Sequence, residues 1–437
     1  MSFLRAYIYK VWEKVPWREV FAWLPIAGIL MVIYSLPYHY NEMQRMGLYL
    51  TGVGYISDYL VNARWRGWCW SKDKWGYIFF ILFYLCVPIR QLFDPLCTWS
   101  FETKVVDYLP FLILGMAGIM GYKTHFKIEW IGITMLLSCC QMGIILLTHY
   151  SSFDYSSWMS WQNSLGLILP QYIHTHMVIN LYCNIALIFG VWILFHSSYP
   201  RWFRGFLIVI MGLVATGVFV SNGRTGQVTL IILLVILLCY RFFHKARSWM
   251  LWLLAIVLIS GVFAFVHFNP RYHDASVQDN PRLYIWKVSE EVIKEKPIFG
   301  WGVSSARQQF IEVGRNNPDF CVHYQQEFEG ISMFLSGKVD YQLMHPHNVF
   351  LETWMELGII GLFFLLCCIV LPLWLLPIGI QRYYLGACIF VIVIQSMFES
   401  FGRDLNPIWL PLVVIMWHYL SLSRSLPQSE RSAVQPL

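Results

Sequence analysis

The sequence predicts an all-α polytopic membrane protein of about twelve transmembrane helices with one large loop outside the membrane. Three observations lead there. Hydrophobic residues make up 57% of the chain and charged ones 13%, and several apolar runs approach or exceed the ~18 residues that mark a spanning helix. Lys and Arg gather in alternate connections between those runs, as the positive-inside bias requires. The 21 Trp suit belts at the two membrane surfaces. The net charge of +6 does not point to nucleic acid, because the cations sit in short connections between apolar runs. The 11 Cys lie mostly in apolar segments, such as Cys139-Cys140 and Cys367-Cys368. No CxxC pair or His/Cys cluster of zinc type accompanies them. The first 19 residues are basic and aromatic, and no small-residue cleavage site follows them.

Residues 1–20 read as a cytoplasmic amphipathic segment on the membrane surface, with Arg5, Lys10, Lys14 and Arg18 among Trp and Tyr. Residues 21–266 hold nine spans, at 21–36, 47–61, 75–87, 108–122, 128–147, 177–196, 206–220, 228–243 and 249–266. The second of these is short and contains Asp58. Residues 347–420 hold three more, at 349–374, 385–398 and 408–420, and 421–437 form a cytoplasmic tail. With the N-terminus in the cytoplasm, the inside connections carry Arg64, Arg66, Lys72, Lys74, Lys123, Lys127, Arg201, Arg204, Arg241, Lys245, Arg247 and Arg382. The short outside loops carry only Arg45, Arg90, Lys104, Arg224 and Arg403. Removing one span would scramble that alternation, so charge supports the count as well as hydropathy.

This topology leaves residues 267–346 outside. Asn280-Pro281 is a helix start, with Asn as cap and Pro in the first turn. Leu283, Trp286, Val292 and Ile293 supply its apolar stripe, and Pro297 ends it. Gly300-Trp301-Gly302 makes a turn. Ser304 to Val313 reads as a second helix stopped by Gly314, and Arg315 to Tyr341 is polar and looped. No internal repeat is evident, and no span shows a break.

Chemistry-bearing residues gather on the outer side. His345-Pro346-His347-Asn348 stands where the chain enters the membrane. Asn348, Glu352 and Glu356 recur every four residues and share a helix face. Gly358 and Gly361 follow and would let a neighbouring helix come close. Imidazole exchanges a proton near neutral pH, which makes His347 a candidate general base; an interfacial histidine bonded to a neighbour is the plainer reading. His345 lies outside the helix. Glu352 and Glu356 are carboxylates in a spanning segment, where such groups are functional or paired. Arg224 lies in the turn Ser221-Asn222-Gly223-Arg224-Thr225-Gly226, at the start of a helix whose free N–H groups favour phosphate. Arg282 lies in the first turn of the Asn280-capped helix, a second anion site. For each arginine alone, an interfacial or solvated side chain is the plainer reading. Glu399, Arg403 and Asp404 suit a structural ion-pair group. His174 and His176 lack a third metal ligand nearby. Cys97 and Cys321 are the cysteines clearly in outside loops, where a disulfide could form.

At these residues the sequence resembles a known family. His347-Asn348, nine residues, Gly358, two residues and Gly361 match the pattern His-(Asn/Ser/Gln)-x9-Gly-x2-(Gly/Thr/Tyr) of bacterial O-antigen ligases and their relatives. Arg282-Leu283-Tyr284-Ile285-Trp286 and Lys296-Pro297-Ile298-Phe299-Gly300-Trp301-Gly302 resemble the periplasmic-loop signature of that superfamily. Asn222-Gly223-Arg224-Thr225-Gly226 resembles its arginine turn. The likeness is clear from Ser221 to Phe364; the first half carries no matching motif.

The resemblance implies the all-helical fold of lipid-phosphosugar glycosyltransferases and an enzyme needing neither metal nor cofactor. It would sit among the lipids of the bacterial inner membrane, with its site facing the periplasm. The donor would be a glycan on undecaprenyl pyrophosphate and the acceptor a sugar hydroxyl of lipid A-core. His347 would be the base, with Arg224 and Arg282 clamping the departing pyrophosphate. Asn348 would orient the base, and Trp286 or Trp301 would stack on sugar. O-antigen polymerases and O-linked oligosaccharyltransferases share the pattern; the latter carry a C-terminal periplasmic domain for which this chain is short. A polysaccharide transporter is the reading from another class. It would show broken helices at mid-membrane and often repeats.

Overall fold

A computed structural model describes residues 16–38, 41–62, 70, 74–96, 101–120, 127–152, 176–221, 223–243, 281–316, 346–376 and 379–398. Among them the chain is helical, with no strand. The helices are α1 (Trp17–Ser35), α2 (Asn41–Val61), α3 (Lys74–Gln91), α4 (Phe101–Ile119), α5 (Ile128–Thr148), α6 (His176–His196), α7 (Arg201–Val220), α8 (Arg224–Phe243), α9 (Pro281–Glu295), α10 (Val303–Asn316), α11 (Val349–Leu375) and α12 (Ile380–Ser396). Ten of them coincide with ten of the expected spans; α9 and α10 are the two helices expected in the outside loop. The expected spans at 249–266 and 408–420, the segment 1–15, and residues Cys97, Cys321, His174, His345, Glu399, Arg403 and Asp404 lie outside the described residues.

Among the described residues five helices, α1, α5, α6, α7 and α11, are long and apolar enough to cross a membrane. The bundle is built around α6. Of its apolar window 83% is buried, against 33% for α7, so α6 sits at the centre and α7 faces outward. Helices α5, α7, α8 and α12 pack around α6, while α3, α4 and α11 form an adjoining layer. Small residues bring α1 and α2 together: a Cβ on Gly28 would stand 2.6 Å from the Gly47 carbonyl oxygen.

Three boundaries differ from expectation. α1 begins at Trp17, so the last residues assigned to the surface segment are already helical. α10 runs through Gly314 to Asn316, since a glycine stops a helix only where the backbone turns left-handed. The largest difference is in α11. Gly358 has φ 70° and ψ −171°, so the expected continuous span is two helices meeting at a break. What approaches closely at Gly358 is loop backbone: a Cβ there would lie 2.0 Å from the Ile298 carbonyl oxygen.

The break is filled by the connection between α9 and α10. The Trp301 N–H donates to the Met355 carbonyl (2.8 Å), Gly302 N–H to the Glu356 carbonyl (2.9 Å), and Ile359 N–H to the Pro297 carbonyl (2.9 Å). Groups freed by interrupting a helix must find partners, and this connection supplies them. The N-terminal part of α11 therefore belongs to a small module with its own core. Ile285, Val288, Val292, Ile293, Ala306 and Phe310 pack there with Met355, and Leu351 and Trp354 flank them.

The end of α3 fastens the module from the other side. The Arg90 guanidinium donates to the carbonyls of Phe299 (2.9 Å) and Gly300 (2.8 Å). Buried Asp94 accepts from the N–H groups of Ser304 (2.9 Å) and Ser305 (3.2 Å) and from the Ser305 hydroxyl. A carboxylate from a distant segment thus caps the N-terminus of α10. Gly302, at φ 88°, leaves room for it; a Cβ there would stand 2.5 Å from the Asp94 carboxylate.

Candidate active site at the start of helix α11

The site is built on residues 346–358. Asn348 is the N-cap of α11; its side-chain oxygen accepts from the N–H groups of Phe350 (3.0 Å) and Leu351 (3.1 Å). Its place beside the histidine therefore matters through the backbone, since its amide oxygen is occupied in starting the helix. His347, half-buried, has φ 50° and is the one non-glycine residue with positive φ among the described residues. Such a conformation costs ~1–2 kcal/mol and persists only where the surroundings hold it. They hold it on both sides. Asn348 fixes the residue after it. Before it, the Pro346 carbonyl accepts from the Trp286 indole N–H of α9 (3.2 Å).

Glu352 and Glu356 are both buried. On the helical wheel they fall between Met355, in the core of the small module, and Val349, in the core of the bundle. They line the seam between the two.

Arg282 stands in the first turn of α9, one turn before Trp286. The helix that carries it is thus the helix bonded to the Pro346-His347 turn. Arg224 is the first residue of α8, in another corner. There the Ser221 hydroxyl donates to Asn180 (2.7 Å), and Asn184 donates to the Gly226 carbonyl (3.2 Å), so two asparagines of α6 set where α8 begins. Helix α12 links the corners: it packs on α8 and α6, and just past its C-terminal end the Phe398 ring lies 6.4 Å from the Trp286 ring. Both arginines occupy first helical turns, where backbone N–H groups are free to meet an anion.

The two tryptophans expected to stack on sugar have structural attachments. Trp286 holds Pro346. Trp301 donates to the Val292 carbonyl (3.0 Å), with the Lys296 ammonium 3.6 Å from its ring centroid. Arg90, Gln91 and Asp94 were not singled out from sequence. The Asp-Pro pair at the end of α3 reads as an ordinary loop start, and nothing local announces a partner some 210 residues away.

Comparison with known proteins bears on the same region. Residues 206–366 match a family model described as O-antigen ligase. Two proteins named "Putative polysaccharide ligase", from Rickettsia conorii and Rickettsia felis, are each 31% identical over 126 residues, 27% of this chain and 27% of the relative. A third so named, from Rickettsia prowazekii, is 34% identical over 88 residues, 20% of this chain and 18% of the relative. The match therefore spans about a quarter of the first two relatives. The matched segment holds the Arg224 turn, α9 and α10, and the His347 cap, and it is over this segment that the chain resembles the O-antigen ligase family.

Proposed function

We propose that this chain is an O-antigen ligase, a metal-independent glycosyltransferase of the bacterial inner membrane. It moves a glycan from undecaprenyl pyrophosphate to a sugar hydroxyl of lipid A-core on the periplasmic side. His347 takes the proton of the acceptor hydroxyl as its oxygen attacks the anomeric carbon. The bond from that carbon to the pyrophosphate breaks, and undecaprenyl pyrophosphate leaves with the electron pair. Arg224 and Arg282 offset the charge of the leaving group, aided by the first turns of α8 and α9. Glu352, one turn into α11, supports the site from the seam between module and bundle.

The observation that carries this reading is the left-handed backbone of His347, held between the Trp286–Pro346 bond and the Asn348 cap. Strain maintained at a single titratable residue is the signature of a positioned catalytic group. The superfamily supplies the reaction class. The lipopolysaccharide profile of a deletion strain tests it. Loss of a ligase leaves core without O-chains while lipid-linked polymer accumulates. Core bearing one repeat unit would instead identify a polymerase.

A further inference from the structure

We infer that the tip of the α9–α10 connection, Ile298-Phe299, is immersed in the membrane leaflet on the side of α9 and α10. The partner of this surface is then the acyl chains of the bilayer itself.

The first observation is where the tip docks. Residues 359–375 of α11 are an uncharged apolar run of 17 residues. At 1.5 Å per residue that is ~26 Å, close to the ~30 Å hydrocarbon thickness of a bilayer. The outer edge of that run is the Gly358 break, and the Ile298 carbonyl packs directly against Gly358, 2.0 Å from where a Cβ would stand. The tip therefore stands level with the edge of the hydrocarbon.

The second observation is independent of depth. Ile298 and Phe299 are 54% and 67% exposed, although their backbone is fixed by Arg90 and by the break. Between Arg90 and Asp94, which both bond to this connection, Leu92 and Phe93 are 69% and 73% exposed. On the inner part of α11, Ile359, Ile360 and Phe363 are exposed as well. Exposed apolar residues thus stand on both sides of the Ile359–Pro297 hydrogen bond, on a membrane helix and on a segment expected in water. Patches of that kind mark a lipid or protein contact, and this one adjoins the lipid-facing side of α11. Its border has interfacial chemistry: Lys294 and Lys296 precede the tip, Trp301 lies under the Lys296 ammonium, and the Trp354 indole donates to the Pro297 carbonyl (3.0 Å).

Site-directed spin labelling in proteoliposomes tests this. p-Acetylphenylalanine replaces Phe299 and carries a nitroxide; Phe363 and Gln308 are labelled in the same way as lipid-side and water-side references. Oxygen partitions into the bilayer, whereas a nickel chelate stays in water. Immersion predicts a ratio of oxygen to nickel collisions at 299 equal to that at 363 and well above that at 308, with the same result for a label at Ile298. A ratio at both tip positions matching Gln308 would overturn the inference. The test needs no substrate, so its outcome is independent of the proposed transfer reaction.

Discussion

His347 shows how much of the site rests on single residues. Its conformation depends on Asn348, so Asn348→Ala should cost ~1 kcal/mol of stability and lower the transfer rate. Asn348→Asp and Asn348→Ser, which also cap, should stay near normal; thermal unfolding and turnover measured on the same preparations check this. Equal activity for Ala and Asp would show that the cap does not position the histidine. The arginines make a separate prediction. Arg224→Lys and Arg282→Lys should bind donor weakly and turn over slowly, because two-point recognition of phosphate needs the planar fork. Wild-type kinetics in both Lys variants would reduce the arginines to diffuse charge. The pattern His347-Asn348…Gly358-x2-Gly361 was legible in the sequence as a superfamily mark. What each residue does was less so. Asn348 caps a helix and Gly358 breaks one, and both jobs depend on groups that only the fold brings near.

Among the elements, α9 was readable, since Pro281 stands at its first position and Pro297 follows its end. The break in α11 was not. A glycine within a long apolar run looks like a packing residue, and here its partner is the backbone of Pro297 to Gly302, more than fifty residues earlier. The break does not itself favour a transporter, because it stands at the edge of the apolar run 359–375 and not at its middle. Its freed groups are met by backbone of the α9–α10 module, so it serves as a dock for that module. Gly358→Ala tests the docking. A side chain there would have to adopt φ 70° and ψ −171°, a region open in practice only to glycine and costing ~1–3 kcal/mol, and would meet the Ile298 carbonyl at 2.0 Å. The variant should lose transfer, and proteolysis within the α9–α10 connection should accelerate while the bundle stays intact. Unchanged protection of that connection would mean the break does not hold it.

For the whole molecule, ten expected spans are helices because hydrophobic periodicity and length are local properties, whereas the division of α11 between two cores comes from tertiary contacts. The orientation rests on Lys and Arg placement. Cysteine labels at Ser276 or Asn316 should react from outside in intact spheroplasts, and labels at Lys72 or Lys245 should not; the reverse pattern would put the proposed site in the cytoplasm. The most direct measurement is transfer in proteoliposomes holding undecaprenyl-pyrophosphate-linked glycan and lipid A-core, for wild type and His347→Ala together with donor binding. The account predicts glycan on lipid A-core with wild type. With the variant it predicts retained donor binding and a rate lower by the ~10²–10⁴-fold that a general base contributes. Near-normal transfer by His347→Ala, or wild-type product that is only longer lipid-linked polymer, would contradict it.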